Sequence, residues 1–190
     1  MSKVLKLKCV KCGREYNEAE ILYTCHDCGI DGILDVVLDY DRIRKELTRE
    51  YLKNNKDYSL WRYLPAIPLE NTGGIQPLQV GWTPLYNIKS LLKETGLKSF
   101  FLKDDSRNPT ASLKDRASAV GVAKAVELER NVMCAASTGN AASSLSGFAA
   151  VAGIKTYIFV PETAPEAKVT QLLIYGSNVF LVKGTYDEAV

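Results

Sequence analysis

The sequence predicts an α/β chain in which a small cysteine-held knuckle precedes parallel-sheet βαβ units. Three observations carry that expectation. Four of the five cysteines fall as Cys9-x-x-Cys12 and Cys25-x-x-Cys28, near the start of the 190-residue chain. From about residue 99 onward, short apolar runs alternate with helix-length segments, the pattern of strands joined by crossover helices. Between these regions, residues 57–84 are rich in proline and glycine.

Taken in order, strand-like pieces at 4–7 and 33–37 flank the cysteine pairs. Tyr40, Ile43, Leu47 and Tyr51 recur at three- and four-residue steps, which predicts one helix over 40–56 with Asp39 as its cap. The turn-rich stretch 57–84 reads as a linker laid over a surface, anchored to a core by Trp61 and Trp82. A helix-like piece at 88–94 and a strand at 99–103 follow. Next come a long helix at 113–130, a strand at 132–136 and a helix at 141–152. A strand at 156–160, a helix at 165–175 and a strand at 179–182 complete the run. Such strands are expected to pair in parallel with helices on both faces of the sheet. Cys134, among small apolar residues, is expected to be buried and inert. Thr185 would cap one more helix, and no stop signal follows it, so either the chain was cut there or its partner half is expected elsewhere.

Composition excludes more than it identifies. A formal net charge of +2 with 24% charged residues neither demands nucleic acid nor suggests an acidic membrane surface. No apolar run approaches the roughly 18 residues of a spanning helix. Polar, cysteine-bearing sequence begins too early for a secretory leader, so a cytoplasmic protein is expected.

In a reducing compartment, two Cys-x-x-Cys pairs point to a metal site, with unligated or disulfide-bonded cysteines as the alternative. Four thiolates around one ion suit zinc, or iron of the one-iron type. Gly13 and Gly29 follow the second cysteine of each pair, where tight turns favour glycine. With Cys9, Cys12, Cys25 and Cys28 all as ligands the ion has no open position, so it would be structural. His26, the sole histidine, is expected to be a bystander. A single imidazole inside the knuckle also removes the Ser-His-Asp and Cys-His hydrolase mechanisms.

Two further segments carry chemistry. In Asn108-Pro109-Thr110-Ala111-Ser112-Leu113-Lys114-Asp115-Arg116, Ser112 can cap a helix with Asp115 completing a capping box. Lys114 then lies in the first turn, where the helix dipole disfavours a cation, and a neutral amine can attack an aldehyde. Read alone, a lysine between such neighbours is more often a solvated helix charge. Ser137-Thr138-Gly139-Asn140 joins a strand to a helix, a place where open α/β sheets bind anions such as a carboxylate. An ordinary capped βα turn is the alternative.

Together these segments resemble a known family. NPTASLKDR (108–116) is similar to the lysine segment of fold-type II enzymes that use pyridoxal 5'-phosphate (PLP). ASTGNAASS (136–144) resembles their substrate-carboxylate loop, and GWTPLY (81–86) resembles their Gly-x-Thr-Pro-Leu segment, followed by FLKDDSRNPT (101–110). The resemblance covers about residues 60–190. With an N-terminal cysteine knuckle of zinc-ribbon type and WRYLP at 61–65, it points to the threonine synthase family.

The resemblance implies that Lys114 binds PLP covalently and shuttles protons, and that Asn140 meets the cofactor's 3-hydroxyl. Ser137, Thr138 and Gly139, with the amides of Ala141 and Ala142, would cradle the α-carboxylate of a small-molecule amino-acid substrate. Asp115 and Arg116 would be supports. The implied reaction converts O-phospho-L-homoserine and water to L-threonine and phosphate, in a chain that family likeness favours as a homodimer. The implied domains are the knuckle at 1–38, helix and linker at 39–83, the start of a large PLP domain at 84–118, and part of a small α/β domain at 119–190.

Ala111, Leu113 and Ala117 depart from the family's more usual Gly-Ser-Phe-Lys-Asp-Arg-Gly. The family's phosphate-gripping glycine loop, and the residue meeting the pyridine nitrogen, belong to its second half. Residues 1–190 alone are therefore expected to bind PLP weakly and turn over nothing. Rival readings are a threonine or serine dehydratase, a cysteate synthase, a diaminopropionate lyase, or a non-enzymatic zinc-ribbon module. That module would use the basic Lys3, Lys6, Lys8, Lys11 and Arg14.

Overall fold

A computed structural model of the chain describes residues 3–21 and 23–184. It divides into two compact units. One comprises the chain up to Asp57 together with Trp61–Glu70; the other comprises Tyr58–Leu60 and the chain from Asn71 on.

The first unit is built on three antiparallel strands, β1 (Val4–Cys9), β2 (Glu15–Tyr16) and β3 (Leu34–Leu38), in the order β2-β1-β3. Leu7 lies opposite both Tyr16 and Val36. Cys9, Tyr16, Ile21 and Cys25 form its buried cluster, with Leu7, Cys28 and Leu34 packed against it. So few apolar groups cannot stabilise a sheet alone, and domains this small are usually stapled by disulfides or a metal.

Where one helix was expected over 40–56, two form: α1 (Tyr40–Glu46) and α2 (Arg49–Asn54). Asp39 caps the first as expected, accepting from the Arg42 amide at 2.9 Å. Leu47 then leaves helical geometry (φ −94°, ψ 69°), and Thr48 Oγ1 caps the second helix by accepting from the Tyr51 amide at 3.0 Å. A residue that favours caps over helix interiors thus breaks the apolar periodicity. Lys3 ties β1 to the end of this unit, its Nζ donating to the carbonyls of Leu64 (3.0 Å) and Leu69 (2.7 Å).

The second unit opens with a two-stranded antiparallel ribbon, β4 (Leu85–Asn87) with β5 (Phe101–Lys103). The short helix α3 (Leu92–Thr95) lies between them and is entered through a 3-10 turn at Lys89–Leu91. Helix α4 (Lys114–Glu127) leads into β6 (Val132–Ala136), α5 (Asn140–Val151), β7 (Lys155–Pro161), α6 (Glu166–Ile174) and β8 (Asn178–Val182). The three strands are parallel in the order β6-β7-β8, with Ala135 opposite Ile158 and Ile158 opposite Val179. Ala142, Ile158, Val160 and Leu172 form the core between this sheet and its helices.

Coverage of both sheet faces is not found among the described residues. Both crossovers step in the same direction along the sheet, and right-handed crossovers then place α5 and α6 on the same face. The opposite face carries Tyr157, Phe159 and Phe180, the last two stacked with ring centroids 5.1 Å apart. Cys134 belongs to that open face and is exposed, which corrects its expected burial. Trp82 also differs from expectation. Trp61 is buried, but Trp82 is 57% exposed and packs on Tyr58 with ring centroids 4.9 Å apart. Among the described residues no helix is long and apolar enough to cross a membrane. Thr185 and the helix expected after it lie outside the described residues.

Candidate active site and metal centre

Lys114 is the first residue of α4, with an exposed side chain. Its amide donates to Ser112 Oγ at 3.1 Å, but the residue at the N-cap is Leu113, without a side-chain cap, rather than the expected Ser112. The expected capping box does not form, because Asp115 turns back to a different partner. Its fully buried carboxylate accepts from the Thr110 amide (2.6 Å), from the Thr110 hydroxyl, and from Ser144 Oγ of α5 (2.6 Å). A desolvated carboxylate is tolerable only when it is this well satisfied. Asp115 therefore locks the turn before Lys114 onto the helix that follows the Ser137–Asn140 loop.

That loop lies at the carboxyl end of β6. The Ser137 amide still bonds to the Phe159 carbonyl of β7 at 3.2 Å, and the Gly139 amide turns to Ser137 Oγ at 3.1 Å. Helical bonding in α5 begins with the Ser143 amide to the Gly139 carbonyl at 3.3 Å, so the amides of Asn140, Ala141 and Ala142 have no intrahelical acceptor. Asn140 and Ala141 are exposed, whereas Ala142 is buried in the core. Helices α4 and α5 run in the same direction. Asp115 meets Ser144 near their starts, and Val126 and Val151 line one cavity near their ends. Lys114 and the loop therefore share an end of the helix pair. An exposed primary amine at the same end of the helix pair as unbonded helix amides suits a cofactor with an aldehyde and a substrate with a carboxylate.

The Gly81–Pro84 segment is tied to the same region. The Gly81 amide donates to Asn108 Oδ1 at 3.0 Å, and the Thr83 hydroxyl donates to Asp105 Oδ1 at 2.6 Å. Glycine is required at 81: its φ is +81°, and a Cβ would lie 3.0 Å from the Leu60 amide nitrogen and 3.1 Å from an Arg116 nitrogen. Arg116 grips Asp105 with two nitrogens, Nε at 2.9 Å and Nη2 at 2.8 Å. Sequence reasoning missed Thr83, Asp105 and Asn108 as the ties of this corner.

The Arg116 guanidinium, helped by the Thr83 hydroxyl, lowers the Asp105 carboxyl to about 2 from its ordinary 3.8. A carboxyl lowered by folding stabilises the native state above its unfolded pKa, and that stabilisation disappears as pH falls through the folded value. Acid titration of stability should therefore show a loss between about pH 4 and pH 2, on the order of 2 kcal/mol. Denaturant unfolding of Asp105→Asn against the parent chain across that window measures it. An unchanged difference between the two would remove the ion pair from the account.

Ala111 has φ +58°, a left-handed conformation that costs an alanine more than a glycine. The family's usual glycine is thus the relaxed choice here, and Ala111→Gly should raise stability by about 1 kcal/mol in denaturant melts.

At the metal centre, the sulfurs of Cys9, Cys12, Cys25 and Cys28 all lie within 4.8 Å of one another. Four sulfurs bound tetrahedrally at about 2.3 Å from one ion would sit roughly 3.8 Å apart. The Cys12 and Cys25 sulfurs are 3.6 Å apart, close to that value and far outside a disulfide bond, and all five cysteines are free. The donor set therefore fits a tetrahedral ion. Gly13 and Gly29 both have positive φ, as the turns require. The Lys11 and Cys12 amides point at Cys9 Sγ, each at 3.4 Å. A hydrogen bond from Tyr16 lowers Cys25 to about 6, while desolvation raises Cys28 to about 12. His26 is not one of the clustered groups; its ring packs edge-on against Tyr16 at 5.5 Å. Nearby cations are engaged by acids within the unit, in the pairs Lys6–Glu15, Lys11–Asp31 and Arg14–Asp27.

Residues 77–190 match the family described as pyridoxal-phosphate dependent enzyme. A threonine synthase of Methanocaldococcus jannaschii is 40% identical over 184 residues, covering 96% of this chain and 44% of the relative. One from Methanosarcina acetivorans is 40% identical over 187 residues, covering 97% and 44%. The chain thus spans less than half the length of these curated relatives. Among solved structures, serine racemase from Dictyostelium discoideum superposes with a TM-score of 0.52 at 28% identity, over 56% of this chain and 35% of that one. From its lysine segment, its βα loop and these matches, the chain belongs to the pyridoxal-phosphate dependent enzyme family.

Proposed function

We propose that this chain is the portion of a threonine synthase that carries the reactive lysine and the carboxylate loop. The reaction converts O-phospho-L-homoserine and water to L-threonine and phosphate. The observation that carries this reading is the placement of Lys114 and the Ser137–Asn140 loop at the same end of α4 and α5. The two threonine synthases that match 96% and 97% of this chain, the cysteine segment included, support this substrate among those of the family.

PLP, when bound, supplies the electron sink for proton loss from the α- and β-carbons and phosphate departure from the γ-carbon. Lys114 would hold the cofactor through its Nζ amine and would carry protons at that nitrogen. Asn140 would donate its side-chain amide to the cofactor's 3-hydroxyl oxygen. Ser137, Thr138 and Gly139, with the amides of Asn140, Ala141 and Ala142, hold the α-carboxylate. Asp115 and Arg116 keep that end of α4 fixed. Separately, Cys9, Cys12, Cys25 and Cys28 would hold a structural zinc ion, a use of paired cysteines that suits a reducing, cytoplasmic setting.

Mixing the chain with PLP, reducing with borohydride and mapping the modified peptide tests the site. Label confined to Lys114 is expected; label scattered over surface lysines would overturn the assignment. A hybrid continuing this chain with the remainder of the Methanocaldococcus relative then tests the substrate. Phosphate release from O-phosphohomoserine supports the reading, and ammonia release from serine or threonine in its place would make the protein a dehydratase.

A further inference from the structure

The two cysteine pairs differ in what meets the first sulfur of each. In the first, Cys9 Sγ accepts from the amides of Lys11 and Cys12. In the second, Cys25 Sγ meets the hydroxyl of Tyr16 at 3.1 Å. Tyr16 is 8% exposed, packed beside Cys9, Ile21 and Cys25, and held by the pairing of β2 with β1. Its hydroxyl oxygen accepts the His26 amide at 3.2 Å. A metal-bound cysteine has no proton to give, so the Tyr16 hydrogen must point at sulfur.

We propose that Tyr16 is a positioning residue of the four-cysteine metal centre, donating its hydroxyl hydrogen to Cys25 Sγ and making that sulfur a weaker electron donor than its three companions. The inference rests on the metal reading given above. Hydrogen bonds to ligating sulfur draw electron density away from the metal and orient the ligand, and removing such a partner typically weakens metal binding about 10- to 100-fold. The ring of Tyr16 belongs to the buried cluster, so a substitution that keeps the ring separates the hydroxyl's effect from packing.

The test loads the full chain with cobalt(II) and compares it with Tyr16→Phe. The parent must first show the absorption of a tetrahedral four-thiolate site; if it does not, the metal reading itself fails. Given that spectrum, Tyr16→Phe should move the sulfur-to-cobalt charge-transfer band to lower energy and weaken cobalt binding about tenfold. Incorporation of 3-fluorotyrosine at position 16, with a more acidic hydroxyl, should move the same band to higher energy. This second measurement also covers the case in which the phenylalanine variant does not fold. A four-thiolate spectrum that is unmoved by these changes would overturn the role of Tyr16 and leave the centre standing.

Discussion

Replacing Lys114 with alanine should abolish borohydride-fixed PLP while leaving the fold intact. The two outcomes separate because the lysine's backbone and side chain have different jobs. Its amide donates to Ser112 Oγ, a bond that alanine keeps. Alanine is also a good helix former, and the lysine side chain is exposed. Stability should therefore stay within about 0.5 kcal/mol of the parent by denaturant melt. In the hybrid completed to the relatives' length, turnover should fall more than about 10³-fold, since covalent binding and proton transfer are both lost. Exposed lysines such as Lys89, Lys93 and Lys98 serve as internal controls for nonspecific labelling. Undiminished label in the alanine variant would place the reactive amine elsewhere.

The parts of this molecule that depend on local sequence were the legible ones. Strand β6 falls where its apolar run predicted, and α5, β7, α6 and β8 each fall within a residue or so. Lys114 does open a helix, and the four cysteines do converge. What the sequence hid depends on partners distant along the chain. Asp115 sits three residues after Ser112, which suggested a capping box, yet its strongest tie outside the turn is to Ser144, 29 residues on. Thr83 and Asp105 gave no signal because their bond joins two turns 22 residues apart. The coverage of the sheet followed from strand order, which a list of strands does not contain. Once the order β6-β7-β8 is known, the exposure of Cys134 follows from crossover handedness. The break at Thr48 was readable in principle, since threonine prefers caps, but the Tyr40–Tyr51 periodicity masked it.

Metal removal should unfold the cysteine-bearing sheet and spare the parallel one. Two of the four buried residues in the first sheet's cluster are the cysteines themselves, leaving only the Tyr16 ring and Ile21 as the others. Strand β2 is two residues long, so the sheet is scarcely more than a hairpin. Structural zinc sites contribute roughly 10–16 kcal/mol of apparent binding energy, more than so small a core can replace. Without an ion, four sulfurs held within 4.8 Å of one another would also repel as they ionise. After chelation, amides of β1 such as Cys9, which bonds to the Arg14 carbonyl at 2.8 Å, should lose hydrogen-exchange protection. Amides of β7 and β8, closed by the separate core of Ala142, Ile158, Val160 and Leu172, should keep theirs. Cys25→Ser should reproduce the selective loss, while Cys134→Ser, outside the cluster and exposed, should not. Protection of β1 that survives complete removal of metal would mean that the cysteines hold no structural ion and that packing alone maintains the sheet.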